Sequence, residues 1–371
     1  MHHTLIMKVA SACNLACAYC YDRIRQKRSH SYVMSNTVLE RSIREYLAIS
    51  DPKPLFIWHG GEPLLAGKEF FEKVIDLQKQ YKHDGQDIAN GIQTNGFLLD
   101  EEWVSFLAQN KFDVGISLDG PQSIHDRNRL TNDGVGSYQQ VMRGVEELKR
   151  ANVNFGVLSV VTRDSVDHPD EIYDFFKQHA IKSFDLLALM DKTSDRAITL
   201  KEFGDFMIRM FDRWMEDNDP SVHIRYFDNQ LRGILRGKPS LCYFAGKCTN
   251  FMSVDTDGDV YPCDNLASFQ ELKLGNILLT SLPKILSSVP YEEFVSAVNA
   301  PNPECQNCEF LAACHSGCTY DRYVRRGKIS DKSSYCGAQK RIFSHIQAHV
   351  RQLIESPTEG VTGSESPSIQ N

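Results

Sequence analysis

The cysteines of this sequence are its most reactive residues, and they are unevenly distributed. There are 11 of them, three near the start and eight from residue 242 onward, with none from residue 21 to residue 241. Cysteines that only fill a core would be scattered, because a buried thiol packs as a small apolar side chain. The remaining composition is typical of a cytoplasmic protein, in which disulfides are rare, so metal binding or catalysis explains these thiols better.

The first group has the spacing Cys13-x3-Cys17-x2-Cys20 and directly follows a predicted strand. Three thiolates on one loop can hold three irons of a [4Fe–4S] cluster and leave the fourth iron open to a chelating substrate. A zinc ion held by these cysteines and a distant histidine is the alternative. The open position indicates a catalytic site.

The other eight cysteines are numerous enough to complete two further four-ligand sites. They are Cys242, Cys248, Cys263, Cys305, Cys308, Cys314, Cys318 and Cys336. Their spacing alone is compatible with two iron–sulfur clusters or with two structural zinc sites.

The elements that must position these thiols alternate strand-like and helical patterns over about the first 220 residues. Strands are predicted at 5–9, 55–58, 88–93, 114–118, 155–161 and 184–189, and helices at 35–49, 68–81, 101–109 and 138–151. Six such units favour an α/β fold with a partial (β/α)6 barrel of the TIM type, whose active site lies at the C-terminal ends of the strands. A doubly wound sheet is the alternative.

The pattern changes after Pro220, so residues 1–220 and 221–354 are predicted to be separate domains. In the second, residues 255–258 are predicted to turn between short strands at 252–254 and 260–261. A helix is predicted at 338–354. The tail, 355–371, is rich in Ser, Pro, Gly and Glu and is predicted to be disordered.

The spacing of the first three cysteines resembles the signature of the radical S-adenosylmethionine (SAM) superfamily. The run Gly60-Gly61-Glu62-Pro63 resembles the segment that binds the SAM amino group in that family. A diglycine allows close backbone approach to a ligand, and a glutamate supplies negative charge for an ammonium. With segments at the ends of the next two strands, the SAM contacts that the resemblance implies are Gly60, Gly61, Glu62, Asn95, Ser117 and Arg129.

The later cysteines resemble the SPASM extension, which carries auxiliary [4Fe–4S] clusters in peptide-modifying members of the superfamily. By this resemblance the first auxiliary cluster is held by Cys242, Cys248, Cys263 and Cys318. The second is held by Cys305, Cys308, Cys314 and Cys336. All 11 cysteines are then assigned, to three [4Fe–4S] clusters in total.

Asp264 matches an aspartate that acts as a general base in anaerobic sulfatase-maturating enzymes of this family. A solvated turn or a contact with the cluster is the alternative role. Tyr21 is expected either near the SAM adenine or in the core. His59 is either a substrate contact or a buried histidine with its hydrogen bonds satisfied, and Tyr226-Phe227 is expected in the core.

The resemblance implies a radical SAM/SPASM oxidoreductase that abstracts hydrogen from a peptide or protein side chain with a 5′-deoxyadenosyl radical. Asp264 would take a proton, and the auxiliary clusters would accept the second electron. The form Trp58-His-Gly-Gly-Glu-Pro63 narrowly favours a maturase of ribosomally made peptides that forms a cyclophane-type cross-link. The first alternative is a sulfatase-maturating enzyme that makes formylglycine, and the second is a non-catalytic zinc-binding module.

Length and charge limit the remaining possibilities. The 371 residues suit one large or two fused domains. A net charge of −7 without a basic block argues against a nucleic-acid partner. No apolar run reaches the roughly 18 residues of a membrane helix, and no secretory signal is evident, so a cytoplasmic location is predicted. The expected partners are a peptide or protein substrate and an electron donor such as flavodoxin or ferredoxin.

Overall fold

A single sheet organises the fold in the computed structural model, which describes residues 4–23, 25, 32–50, 52–189, 194–300 and 302–355. Ten strands of this part of the chain belong to it. They are β1 (Thr4–Ala10), β2 (Leu55–Gly60), β3 (Ala89–Thr94), β4 (Phe112–Ser117), β5 (Phe155–Val161), β6 (Ser183–Ala188), β7 (His223–Ile224), β8 (Phe251–Val254), β9 (Asp259–Tyr261) and β10 (Gly275–Asn276).

Helices fill most of the connections between these strands. The α-helices are α1 (Asn36–Ile49), α2 (Lys68–Tyr81), α3 (Glu101–Gln109), α4 (Gln122–Asn128), α5 (Tyr138–Arg150), α6 (Pro169–Gln178), α7 (Leu200–Asp217), α8 (Arg225–Arg236), α9 (Cys242–Ala245), α10 (Leu282–Ile285), α11 (Val289–Asn299), α12 (Leu311–Cys314), α13 (Thr319–Arg326) and α14 (Cys336–Glu355). Short 3-10 helices lie at Pro63–Ala66, Cys248–Asn250, Asn265–Ser268 and Gln270–Leu272.

The strand order is β10-β9-β8-β1-β2-β3-β4-β5-β6-β7. Each strand from β1 to β7 pairs in parallel with the next, whereas β8, β9 and β10 pair with one another in antiparallel fashion. The consecutive order from β1 to β7 lacks the reversal of a doubly wound sheet, and the sheet does not close on itself. The predicted α/β fold with an open, partial barrel is therefore confirmed.

Local sequence signals explain where the helices begin. The Ser35 side chain accepts a hydrogen bond from the Val38 amide at the start of α1, and Asp100 does the same for Trp103 in α3. Such caps satisfy amide groups that the first helical turn leaves without partners. The predicted helices consequently agree with α1, α2, α3 and α5 to within one residue at each end.

The two faces of β1 have different environments because side chains alternate along a strand. Leu5, Met7 and Val9 are fully buried in the apolar core that the helices cover. Lys8 points to the opposite face, where it lies in register with His59 of β2. This inner face of the sheet therefore carries polar groups close to the C-terminal strand ends.

The cysteine-rich part of the chain continues the same sheet. Strand β8 pairs in parallel with β1, and residues Thr4 to Met7 lie opposite Phe251 to Val254. The predicted boundary between residues 220 and 221 thus does not divide the sheet, and the domain division stays a prediction. Of the predicted disordered tail, 356–371 lie outside the described residues, and Glu355 ends α14.

None of the helices in the described part of the chain is long and apolar enough to cross a membrane.

Candidate active site

The loop after β1 carries the first three cysteines to the C-terminal ends of the parallel strands. Backbone hydrogen bonds fix this loop, because the Ala16 amide donates to Leu130 at 2.7 Å and the Ala18 amide donates to Asn128 at 2.8 Å. The three thiols lie near enough to interact electrostatically. The structure thus brings together the residues predicted to hold the SAM-cleaving cluster, Cys13, Cys17 and Cys20.

Burial disfavours the ionised, thiolate form of these three cysteines when no metal is bound. It raises the pKa of Cys13 to about 12 and also raises the pKa of Cys17 and Cys20. Thiolates are the form that binds iron, and a bound metal stabilises them where burial alone does not. Three buried thiols on one loop fit the ligand set of an iron–sulfur cluster.

The diglycine packs directly against the cluster loop. The Gly61 amide donates to Ala10 at 2.7 Å, and the Glu62 amide donates to Ala12 at 2.9 Å. A Cβ atom on Gly60 would lie 2.4 Å from the Ala10 carbonyl oxygen, and one on Gly61 would lie 2.2 Å from that of Ala12. Close packing of two backbones is therefore sufficient reason for both glycines.

Glu62 links the ends of β2 and β3. Its buried carboxylate accepts hydrogen bonds from the Leu64 amide, the Thr94 hydroxyl and the Asn95 amide. Burial nevertheless raises the pKa of Glu62 to about 7, because these hydrogen bonds offset only part of the desolvation. A carboxylate has about four lone-pair positions, so one is still free for an ammonium group.

Asn95 connects this carboxylate with the cluster loop. Its side-chain amide donates to the Asn14 oxygen at 2.9 Å and lies 3.7 Å from the Cys13 sulfur. On the neighbouring strand, Ser117 accepts a hydrogen bond from Gln93 at 3.2 Å. Two of the predicted SAM contacts thus lie on adjacent strand ends facing the same loop.

Arg129 is buried and already has partners within the protein. It donates to Asp119 at 3.0 Å and lies over the Tyr19 ring at 5.3 Å, while the Tyr19 hydroxyl also donates to Asp119. Asp119 and Tyr19 were not predicted as site residues. The Arg129 Nε atom is buried and has no hydrogen-bond partner among the described residues, as expected of a donor reserved for an anionic group such as the SAM carboxylate.

The first auxiliary set of thiols is also assembled by the fold. Cys242 begins α9, Cys248 begins a 3-10 helix, Cys263 follows β9, and Cys318 directly precedes α13. Burial raises the pKa of Cys242 to about 12 and raises those of Cys263 and Cys318 well above the usual value, with further increases from the neighbouring thiols. Residues 76 positions apart therefore share one thiol-rich environment.

The second auxiliary set lines a small cavity of about 20 Å³. The cysteines that line this cavity are Cys305, Cys308, Cys314 and Cys336. Within the part of the chain that is described, no three His, Cys, Asp or Glu side chains lie close enough to share one metal ion. The four thiols of the second set therefore share the wall of one cavity.

Asp264 lies between the first auxiliary set and the inner face of the sheet. It accepts hydrogen bonds from the Tyr21 hydroxyl at 3.0 Å and from the Cys263 thiol at 3.4 Å. Burial alone would raise the pKa of Asp264. The Lys8 ammonium, the His59 ring and the hydrogen bonds from Cys263 and Tyr21 together outweigh burial, so the pKa lies below its usual value and the side chain is a carboxylate at neutral pH.

Tyr21 does not lie in the core, and its place near the SAM adenine stays a prediction. Its side chain is 38% exposed and bonds to Asp264 across 243 positions of sequence. The Lys8 ammonium lies 5.4 Å from the centre of its ring. Tyr21 therefore connects the cluster loop with the proposed base.

A buried ion network next to this pair was not predicted from the sequence. Lys8 pairs with Asp22 at 2.8 Å, and Arg25 bridges Asp22 and Asp255 with distances of 2.5 Å. Arg25 also donates to the Ala10 carbonyl. Asp22 and Arg25 are three positions apart, but Arg25 and Asp255 are 230 positions apart, so no local pattern relates the whole network. Lys8 inside the otherwise apolar β1 was the one weak signal.

Two family sequence models match separate parts of the chain. The Radical SAM superfamily matches residues 7–176, and SPASM, an iron–sulfur cluster-binding domain, matches residues 242–309. A cysteine-type anaerobic sulfatase-maturating enzyme from Clostridium perfringens is 35% identical over 352 residues, which cover 92% of this chain and 95% of that protein. This chain belongs to the radical SAM superfamily.

Two further proteins are similar to this radical SAM enzyme over nearly the whole chain. A serine-type anaerobic sulfatase-maturating enzyme from Bacteroides thetaiotaomicron is 31% identical over 374 residues, covering 94% of this chain and 90% of that protein. The solved structure of native anSMEcpe with bound AdoMet and Kp18Cys peptide is 34% identical, with a TM-score of 0.87 and coverage of 95% and 98% of the two chains.

These comparisons decide between the interpretations of the sequence. The resemblance to radical SAM/SPASM enzymes is confirmed, and so is an enzyme that uses iron–sulfur chemistry and SAM on a peptide or protein. The preference for a cyclophane-forming maturase of ribosomally made peptides is not supported, because the relatives favour the sulfatase-maturating alternative. The second alternative, a non-catalytic zinc-binding module, is wrong because the chain belongs to a superfamily of enzymes.

Proposed function

We propose that this enzyme matures sulfatases by oxidising a cysteine or serine side chain of the sulfatase polypeptide to formylglycine. The observation that carries the proposal is the position of Asp264. Its carboxylate adjoins Cys263 of the first auxiliary set and accepts a hydrogen bond from Tyr21 of the cluster loop. A base held between two thiol-rich sites suits a side chain that must lose a hydrogen atom, a proton and an electron in turn.

The oxidation removes two hydrogen equivalents from the target residue. When bound, the reduced cluster and SAM supply the radical that takes one hydrogen atom from the target Cβ. Asp264 takes the proton of the thiol or hydroxyl, which makes loss of the second electron easier. The eight auxiliary cysteines would hold the clusters that could accept that electron. A serine then becomes the aldehyde directly. A cysteine instead forms a thioaldehyde, and water hydrolyses it to the aldehyde with release of hydrogen sulfide.

The cysteine sets define the proposed cofactors, three [4Fe–4S] clusters and one SAM. Cys13, Cys17 and Cys20 hold the SAM-cleaving cluster, and the two auxiliary sets hold the others. If each cluster has four irons, anaerobically purified protein contains about 12 irons per chain. Buried Glu62 and Arg129 present opposite charges on either side of the loop, which suits the ammonium and carboxylate of SAM.

The test uses the anaerobic holoenzyme with SAM, a reductant and two sulfatase-derived peptides that carry cysteine or serine at the target position. Formylglycine in at least one peptide, detected by mass spectrometry and by trapping with a hydrazide, is the expected result. Protein electron donors such as flavodoxin and ferredoxin can replace the chemical reductant in the same assay. A peptide that loses 2 Da into a cross-link, without an aldehyde, would contradict the proposal.

A further inference from the structure

Arg322 lies where the two auxiliary sets of cysteines meet, and it has no role in the chemistry described above. It is the fourth residue of α13, which begins directly after Cys318 of the first auxiliary set. Only residues 315–317 separate Cys318 from Cys314 of the second auxiliary set. Arg322 is 4% exposed, so its charge is buried next to this short connection.

The guanidinium of Arg322 binds the connection through its backbone carbonyls. Nη2 donates to His315 at 2.7 Å and to Gly317 at 2.8 Å, and Nε donates to Ser316 at 3.2 Å. Nη1 donates to the Ile329 carbonyl at 3.3 Å. The three connecting residues have φ of +46°, +67° and +79°, a left-handed conformation that side chains disfavour at the first two. Arg322 therefore stabilises a segment that the backbone alone would not adopt.

No carboxylate compensates the charge of Arg322. Three arginines are buried in the described part of the chain, and two of them, Arg25 and Arg129, pair with aspartates. All four acceptors of Arg322 are neutral carbonyls, and no described carboxylate pairs with it. A buried charge without a counter-charge is strongly disfavoured. The thiols on both sides can supply the missing negative charge once they are ionised.

Bound clusters would provide that negative charge. Four thiolates outweigh the positive charge of an iron–sulfur core, so a cluster held by four cysteines is anionic, and gain of one electron makes it more so. A fixed cation nearby therefore favours the reduced form. Burial and the neighbouring thiols raise the pKa of Cys314 to about 12, whereas the Arg322 charge acts in the opposite direction and favours the thiolate that binds iron.

We propose that Arg322 is the internal counter-cation of the auxiliary clusters and that its charge raises the reduction potential of the cluster held by the second auxiliary set. This proposal rests on the proposed function, which assigns the two sets to [4Fe–4S] clusters. Its effect is electrostatic: the substrate residue loses one electron, an auxiliary cluster gains it, and the guanidinium keeps all its protons. Arg322 is a positioning residue, because it acts through the clusters and does not contact the substrate.

Three substitutions separate the charge of Arg322 from its hydrogen bonds. Arg322→Lys keeps the charge but loses the planar set of donors, Arg322→Gln keeps an amide donor but loses the charge, and Arg322→Met loses both. Arg41→Gln is the matched control, because Arg41 of α1 also donates to a backbone carbonyl, that of Leu278. The background is the full-length chain in which alanine replaces the three ligands of the SAM-cleaving cluster, Cys13, Cys17 and Cys20.

The readouts are iron content, thermal denaturation and the midpoint potentials from a redox titration followed by electron paramagnetic resonance. The signal that is lost when Cys308 is replaced with alanine identifies the second cluster. We expect Arg322→Gln and Arg322→Met to make its reduction about tenfold less favourable, which lowers a one-electron potential by about 59 mV. Arg322→Lys should stay within about threefold of the original, and Arg41→Gln should not change.

A pH titration of Arg322→Lys tests the charge within one variant. Lysine can lose its proton, whereas arginine remains charged. Between about pH 7 and about pH 10 the potential of the second cluster should therefore fall further in Arg322→Lys than in the original chain. This measurement also decides the matter if Arg322→Gln and Arg322→Met bind no iron.

The outcomes separate this proposal from the one it rests on. If the background chain holds fewer than about eight irons, the assignment of the auxiliary clusters fails and the role of Arg322 falls with it. If both clusters are present but Arg322→Gln has unchanged potentials, only the role of Arg322 is wrong. If Arg322→Lys loses its clusters, has a potential as low as that of Arg322→Gln at neutral pH, or shows no added dependence on pH, the charge is not responsible and the proposal is overturned.

Discussion

Two buried carboxylates show how the surroundings of a residue decide its chemistry. Glu62 accepts three hydrogen bonds, but burial outweighs them and raises its pKa to about 7. Asp264 is also buried, but Lys8 and His59 keep its pKa below the usual value. At neutral pH Asp264 is an acceptor of protons, whereas Glu62 changes charge close to the working pH.

Replacing Asp264 with asparagine tests the base. Asparagine has nearly the same shape but cannot accept the proton, so formylglycine formation should fall by about 10²–10⁴-fold. The 5′-deoxyadenosine formed per product should rise in proportion, as measured by chromatography and mass spectrometry. Asp76→Asn, at a carboxylate that is 79% exposed, is the control and should leave both unchanged. Product formation within threefold of normal in Asp264→Asn would exclude a base at this position.

The pKa of Glu62 predicts how SAM affinity depends on pH. Because the pKa is raised to about 7, Glu62 is mostly neutral at pH 6 and mostly charged at pH 7.5. If the charged form holds the SAM ammonium, affinity should increase severalfold over this interval, measured by calorimetry on the anaerobic holoenzyme. Glu62→Gln should bind SAM more weakly and with no such increase, whereas the exposed Glu72→Gln should behave as the original. Affinity that falls as the pH rises would contradict this role.

At the scale of elements, parallel strands bring the site together at one edge. The loops after β1, β2, β3 and β4 carry the cluster thiols, Glu62, Asn95 and Arg129 respectively, although these lie far apart in the chain. The β1 and β2 loops touch through backbone atoms, which leaves no room for a Cβ at Gly61. Packing between elements therefore imposes the diglycine, independently of any ligand.

A methyl group at Gly61 should separate the two loops. Gly61→Ala would place a Cβ atom 2.2 Å from the Ala12 oxygen, a contact that only backbone movement relieves. We expect a destabilisation of a few kcal/mol, a lower iron occupancy and reduced SAM cleavage. Gly85→Ala is the control, since its φ of +82° costs about 1–2 kcal/mol but no atom lies within 4 Å of the new Cβ. Equal iron content and SAM cleavage in the two variants would show that the contact is tolerated.

At the scale of the whole molecule, the cluster loop and the cysteine-rich region are one structure. Strand β8 extends the sheet from β1, and Arg25 joins the cluster loop to Asp255 in the hairpin turn after β8. The pairs among Lys8, Asp22, Arg25 and Asp255 are almost completely buried. This arrangement connects the loop of Cys13, Cys17 and Cys20 directly to the hairpin that precedes Cys263.

Removing one member of this network should be costly. Arg25→Met leaves Asp255 without its partner and Asp22 with Lys8 alone, and loss of one partner of a buried pair destabilises a protein by about 3–5 kcal/mol. Thermal denaturation of the holoenzyme should therefore shift down by several degrees. Arg150→Met removes an ion pair whose arginine is 70% exposed and should change stability by less than about 1 kcal/mol. Equal melting temperatures for the two variants would disprove the structural role of the network.

Much of this protein is determined by local sequence. Apolar alternation and helix caps predicted six strands and four helices to within two residues, because these signals act between near neighbours. The cysteine spacing likewise predicted the first thiol-rich group, whereas the division of the other eight cysteines into two sets came from the resemblance to the SPASM extension. Gly60-Gly61-Glu62 was correctly placed at the end of a strand. The assignment of individual residues to clusters and to SAM stays a prediction.

Only the tertiary structure decided the remaining contacts. Tyr21 and Asp264 are 243 positions apart, and Arg25 and Asp255 are 230 positions apart, so no periodicity relates them. The Nδ1 atom of His59, which has no hydrogen-bond partner among the described residues, was equally invisible, since whether a buried histidine has a partner depends on side chains from other strands. The sequence alone determined which groups could do chemistry, but burial and neighbouring charge, which arise only on folding, decided their protonation and their partners.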